Sequence, residues 1–256
     1  MKIILQTLFT IFFLLFTAPY ANAHFGMLIP DSPIVTADQR STTLTLSFSH
    51  PFQGVGMDFA KPAAFYVLKE GKKSDLLPEL QKTTVMDHAG WQTSYFVKRP
   101  GVYQFVMEPV PYWEPTEDRY IIHYTKVIIP AFGAEDGWEQ PAGLPTEIIP
   151  LLRPFGNYAG NTFTGLVLNH GDPATNTRVE VELYNQGQKY KAASDYHITQ
   201  VVHTDDRGIF VFACPYPGWW GFAALSTADY FLTSPLGEKK TVEVGAVLWI
   251  YMNPLQ

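Results

Sequence analysis

Thr43-Leu-Thr-Leu-Ser-Phe-Ser-His50 alternates apolar and polar side chains without a break, and Pro51 ends the run. A strand turns successive side chains to opposite faces, so Leu44, Leu46, Phe48 and His50 share one face. Proline cannot donate to a sheet ladder, which closes the strand after His50. A histidine therefore ends an inward-facing apolar row, where an imidazole without a partner is costly.

The same short, turn-bounded pattern recurs on both sides of this stretch. Twenty prolines and nineteen glycines punctuate the chain, and no segment after residue 23 keeps a helical period over three turns. Residues 64–69, 91–97, 101–108 and 119–129 read as strands. Lys98-Arg-Pro-Gly101 supplies a turn signal that predicts a hairpin between the second and third of these. An aromatic and acidic loop, Pro109-Val-Pro-Tyr-Trp-Glu-Pro-Thr-Glu-Asp118, leads into the fourth. Beyond a Gly/Pro-rich connection over 130–145, residues 147–153, 161–168, 178–184, 217–225 and 242–251 read as strands, with a turn at Asn169-His-Gly-Asp-Pro173. Arg178-Val-Glu-Val-Glu-Leu-Tyr184 is expected to turn its valines and leucine inward and Glu180 and Glu182 outward, and 201–212 to form a hairpin centred on Asp206-Arg-Gly208. Short strands at regular spacing predict an all-β protein of two β-sandwich domains, immunoglobulin-like or transthyretin-like, over 24–145 and 146–256.

Composition narrows the function. Lys and Arg number 18 against 24 Asp and Glu, for a net charge of −6, and no basic run occurs, which argues against nucleic-acid binding. No G-x-S-x-G, Walker loop or zinc-protease helix motif is present, so the sequence reads as non-enzymatic. Cys214 is the single cysteine, which excludes an intramolecular disulfide and predicts a buried structural thiol.

Residues 1–23 have the parts of a secretory signal peptide: Lys2, an apolar run from Ile3 to Phe16 and the small-x-small triplet Ala21-Asn22-Ala23. No later apolar run approaches the roughly 20 residues a spanning helix needs. The expected location is therefore the periplasm, with the exported protein soluble. Cleavage after Ala23 makes His24 the first residue. Its free amine and imidazole Nδ1 can then close a six-membered chelate ring, a nitrogen pair suited to Ni, Cu, Co or Zn.

Five segments carry a resemblance: Ala23-His24-Phe25-Gly26-Met27-Leu28-Ile29-Pro30, His50-Pro51-Phe52, residues 108–118, His123-Tyr124-Thr125-Lys126-Val127 and Gly218-Trp219-Trp220-Gly221-Phe222. Through them the chain resembles NikK-like periplasmic components that accompany energy-coupling-factor-type or ABC-type nickel and cobalt transporters. The order of strands and turns over 169–219 is similar to transthyretin-like or carboxypeptidase-regulatory-like domains. The first resemblance implies a metal-binding protein that captures Ni²⁺ or Co²⁺ and supports its delivery to a membrane transporter.

The residues selected as metal ligands are His24, His50, His123, Glu114 and Asp118. His24 has the chelating terminus, His50 the inward row, and His123 a mid-strand position directly after the acidic loop. Glu108, Glu114, Glu117 and Asp118 offer oxygens that ligate an ion or orient an imidazole. Met27, Met57-Asp58, His88, His170, His197 and His203 are weaker candidates, better explained by packing or exposure. Tyr112, Trp113 and Trp138 read as rim or core, or as a wall around a site. An N-terminal histidine with a second histidine is also how copper-dependent polysaccharide oxygenases hold copper, and a metal-free sugar-binding or structural sandwich is a third reading.

Overall fold

A computed structural model describes residues 23–255. The signal peptide expected over 1–23 thus lies outside the described residues except for Ala23. The N-terminal half comprises β1 (Phe25–Pro30), β2 (Ser41–His50), β3 (Val55–Met57), β4 (Ala64–Lys69), β5 (Lys72–Asp75), β6 (Gln81–Val85), β7 (His88–Phe96), β8 (Gly101–Glu108), β9 (Tyr112–Glu114) and β10 (Arg119–Ala131). The C-terminal half comprises β11 (Thr146–Pro150), β12 (Asn157–Tyr158), β13 (Thr162–Asn169), β14 (Asp172–Pro173), β15 (Arg178–Leu183), β16 (Gln200–His203), β17 (Ile209–Ala213), β18 (Gly218–Thr227), β19 (Leu232–Thr233), β20 (Lys239–Lys240) and β21 (Val242–Asn253). The only helical turns among the described residues are two short 3₁₀ segments, Leu77–Glu79 and Asp195–His197. The protein is all-β, built as β-sandwiches, and no helix among the described residues is long and apolar enough to cross a membrane.

A ten-stranded sheet, in the order β16-β15-β18-β21-β10-β8-β4-β5 with β9 and β12 at its margins, is the spine of the molecule. Sheet β1-β2-β7-β6 covers one face of it, and sheet β11-β13-β14 with β17 covers the other. Leu44, Leu46 and Phe48 of β2 meet Phe65, Phe105, Met107 and Val127 in the first core. Phe163, Val167 and Phe210 meet Val181, Phe222, Leu248 and Ile250 in the second. β21 serves both, with Val247 and Trp249 facing one way and Ala246, Leu248 and Ile250 the other. Burial on both faces is why 244–251 reads as a nearly unbroken apolar run.

The strands of the two halves divide within 132–145, but the halves share this sheet. β10 and β21 run parallel, from Tyr120 opposite Val242 to Val127 opposite Trp249. That pairing joins strands more than a hundred residues apart.

Two expected hairpins are instead crossings between layers. β7 pairs with β2 and β6, whereas β8 pairs with β4 and β10. Likewise β16 pairs with β15, and β17 with β13. Pro-Gly and Asp-Arg-Gly reverse the chain, but where both flanking strands have an apolar face, joining opposite sheets buries more surface than joining neighbours. The turn at 169–173 does form a local ladder, with Asn169 opposite Asp172, and His170 and Gly171 at positive φ.

Glu180 and Glu182 also depart from expectation, since both are buried. The turn after β2 lies over Glu182, while Glu180 is paired with Arg178. Glu182 accepts hydrogen bonds from the Phe52 amide and the Thr199 hydroxyl, and burial pushes its carboxyl up to about 8. Asn185 adds two bonds to the same turn, donating its amide to the Pro51 carbonyl and its side chain to that of Phe52. The end of the strand carrying His50 is thereby moored to the C-terminal half.

Candidate metal centre

β1 brings His24 into place. Its ladder with β2 sets Phe25 opposite Ser49 and Leu28 opposite Leu46, while Trp249 donates its indole N–H to the Gly26 carbonyl at 2.8 Å. A Cβ on Gly26 would lie 2.3 Å from the Thr125 hydroxyl, so only glycine lets β1 lie this close on the central sheet. His24 is then 7% exposed, stacked on Phe48 at 5.6 Å and 4.6 Å from the His50 ring, centroid to centroid.

The hydrogen bonds fix how His24 presents itself. Its Nε2 lies 3.1 Å from Glu114 Oε2, and because a carboxylate only accepts, Nε2 carries the proton and Nδ1 keeps its lone pair. Glu114 itself is held by the Thr116 amide and hydroxyl. Burial would raise the Glu114 carboxyl, but those bonds and His24 outweigh it and hold it below its ordinary value. The His24 imidazole is pushed down to about 4, chiefly by burial and then by His50, against the pull of Glu114. Burial lowers His50 as well. Both rings are therefore neutral at neutral pH, the form that binds a metal.

His50 Nδ1 donates to the Ala23 carbonyl at 2.9 Å. That carbonyl belongs to the peptide bond preceding His24, so the His24 nitrogen lies within about 5.5 Å of His50 Nδ1, given standard amide bond lengths. The inward row of β2 thus ends beside the nitrogen that cleavage after Ala23 would free.

His123 stands on β10, edge-on to Phe48 at 5.7 Å. Its Nδ1 accepts the Gly26 amide at 3.3 Å, which places the proton on Nε2. Nε2 is buried with no hydrogen-bond partner. Glu243 Oε1, at 3.8 Å, is too far to serve as one. Room for the ring comes from Gly245, where a Cβ would lie 2.4 Å from His123 Cδ2 and 2.7 Å from Nε2.

The acidic loop is divided. Glu114 reaches the cluster, and Glu117 Oε1 lies 3.8 Å from His24 Nδ1. Asp118 does not join them: its residue adopts φ 54°, and its exposed carboxylate pairs with Lys240 at 2.7 Å. Of the weaker candidates, Glu108 approaches Lys73 and His88 faces Asp58. His170, His197 and His203 are exposed, Met27 is core, and Cys214 is a buried thiol that burial pushes up. Tyr112 packs on Phe48 and forms part of the wall.

Among the described residues, no three His, Cys, Asp or Glu side chains already converge as the ligand set of one ion. His24 and His123 lie against Phe48, each with a carboxylate near a ring nitrogen, and His50 stands beside His24. Glu243, Arg119 and Gly245 were not anticipated. The polar Glu243 two residues before a glycine in an apolar final strand was the available signal, but only the parallel pairing with β10 brings it to His123.

Structurally this is a fused pair of β-sandwiches with a histidine–carboxylate cluster at the start of its first strand. The chain belongs to the family described as "Domain of unknown function (DUF4198)", which it matches over residues 21–228. No curated protein matches it. It is similar to solved structures of all-β modules: the D0-D1 domain of intimin (12% identity, 88% of this chain and 99% of that one, TM-score 0.23) and the fibronectin(III)-like modules of Clostridium thermocellum CbhA (10% identity, 89% and 95%, TM-score 0.24).

Proposed function

We propose that the exported chain, beginning at His24, captures Ni²⁺ or Co²⁺ and supports its delivery to a membrane transporter, acting as a carrier rather than an enzyme. One observation carries this reading. Glu114 holds His24 by Nε2, leaving Nδ1 deprotonated beside the atom that becomes the terminal amine. A carboxylate on the far nitrogen is the usual way a protein orients a metal-ligating histidine. The amine and Nδ1 of His24 form the chelate, His50 stands within reach, and the buried, unpartnered Nε2 of His123 lies behind them. Nitrogen donors completed by carboxylate oxygen suit late divalent metals of the first row. A cluster opening at the protein surface suits a cargo that must leave. The periplasmic location and the ABC- or ECF-type transporter rest on the signal-like residues 1–23 and on the resemblance to NikK-like proteins.

Calorimetric titration of the chain starting at His24 is expected to show one Ni²⁺ per protein, with proton release. Gly245→Ala is expected to displace the His123 ring, lower Ni²⁺ affinity by about tenfold or more, and cost about 1–3 kcal/mol of stability by overpacking. Unchanged affinity in that variant would remove His123 from the ligand set. An absence of heat and of thermal stabilisation by Ni²⁺ would favour a metal-free sandwich.

The closeness of His50 to the terminal nitrogen also fits the copper oxygenase arrangement. Reductant-dependent consumption of O₂ or peroxide by the Cu²⁺-loaded protein would favour that reading, because a carrier needs no redox cycle.

A further inference from the structure

The pocket through which the cluster meets solvent has a volume of about 280 Å³ and is lined by Ala23, His24, Glu117, Arg119, Glu180 and Glu243, among others. A single guanidinium holds it together. Arg119 Nε donates to Glu117 Oε2 at 3.0 Å, and Nη1 donates to Glu243 Oε2 at 2.8 Å. These carboxylates come from different parts of the chain, the loop between β9 and β10 and the start of β21. Each turns its other oxygen to a histidine: Glu117 Oε1 is 3.8 Å from His24 Nδ1, and Glu243 Oε1 is 3.8 Å from His123 Nε2.

That spacing is too long for a hydrogen bond, yet two donors each about 2.1 Å from one ion can stand up to about 4.2 Å apart. His123 Nε2 is the independent sign that something is meant to be met here, since it is buried, without a hydrogen-bond partner and faces Glu243; it offers a lone pair to an ion only once its proton has left and Nδ1 has released the Gly26 amide. The neighbouring arginine does not play the same part. Arg178 places both Nε and Nη2 on Glu180 Oε1, a self-contained pair on one strand.

We propose that Arg119 is a resident counter-cation of this site, competing with the divalent ion for Glu117 and Glu243 and thereby keeping affinity low enough for release. The proposal rests on the metal-capture reading. A guanidinium stays charged at any physiological pH, so its competition is constant. It also explains why the histidines and carboxylates lie close together without converging: one oxygen of each carboxylate is committed to Arg119. When a dication engages the outer oxygens, the guanidinium faces a like charge and its pairing weakens.

The test is Ni²⁺ binding and release by the chain starting at His24, comparing wild type with Arg119→Gln. Affinity is expected to rise about tenfold or more, as removal of a like charge a few ångströms away implies. Release to excess EDTA, followed by stopped flow, is expected to slow by a similar factor. Damage to the fold would weaken binding, so the direction separates competition from a structural role. Arg119→Lys, which keeps one charge but lacks the fork that spans both carboxylates, is expected to bind about threefold tighter than wild type. It carries the test should Arg119→Gln fail to fold. Affinity that is unchanged or lower in the folded variants, with wild type binding normally, overturns the proposal and leaves the capture reading standing. No Ni²⁺ binding by wild type overturns both.

Discussion

A chain carrying one alanine before His24 is expected to bind Ni²⁺ at least about 100-fold more weakly than the chain beginning at His24. Losing an outer hydrogen-bond partner of a ligand typically costs about 10- to 100-fold, and this extension removes a ligand outright. The terminal amine becomes a peptide nitrogen with no lone pair to give, and the six-membered ring with Nδ1 is lost. The structure adds a second cost. With Ala23 in place, its carbonyl accepts the Nδ1 proton of His50 at 2.9 Å and ties that ring to the backbone. Cleavage after Ala23 would therefore both create the amine and free His50. The amine has an ordinary pKa of about 7.7–8.0 and binds only when deprotonated, so affinity of the His24-initiated chain should rise with pH through that range. The extended chain should lack this dependence. Paired calorimetric titrations at two pH values decide the matter, with thermal melting as the control for folding. Equal affinity in both chains would mean that His24 is no chelating terminus.

What the sequence showed of the site follows from how local each cue was. The period-two row Leu44, Leu46, Phe48, His50 is a local pattern, and it placed His50 correctly. The Asn169–Pro173 turn is equally local. Lys98-Arg-Pro-Gly101 and Asp206-Arg-Gly208 were legible as reversals, but which sheet the next strand joins is decided by distant apolar faces. Glu180 and Glu182 alternate with valines as solvent-facing residues would, and the turn at Phe52 that lies over Glu182 comes from a distant part of the chain. Glu243 reaches His123 through the parallel pairing of β10 with β21, a contact between the ends of the two halves. The histidine–carboxylate cluster is therefore half local, with His24, His50 and Glu114 readable in the sequence. Its other half, the bridging of Glu117 and Glu243 by Arg119, depends on topology.

The largest stability effect is expected at a buried ion pair that links the two halves, Lys126 with Glu147. Lys126 is fully buried on β10, and its ammonium donates to Glu147 Oε2 of β11 at 2.8 Å. Glu147 also accepts the amides of Ala142 and Gly143, so the pair fastens the shared sheet to the connection and to the opposite layer. Burial drives the Lys126 ammonium below its ordinary value, and Glu147 opposes that shift. Lys126→Met leaves a carboxylate in the interior without its counter-ion, and removal of one partner from a buried pair typically costs about 3–5 kcal/mol. Urea unfolding should show that loss as a lower midpoint. Changing Glu147 to Gln in the same chain should recover part of it, because no charge is stranded, although the one amide oxygen keeps only one of the two backbone N–H groups that the carboxylate accepts on separate oxygens. A cost under about 1 kcal/mol for Lys126→Met would show that the charge finds water or a proton and that the pair is not structural. Lys126 and His123 are three residues apart on a strand and so face opposite layers. Ni²⁺ affinity of the folded Lys126→Met protein should therefore match wild type, which separates the bolt between the halves from the cluster it supports.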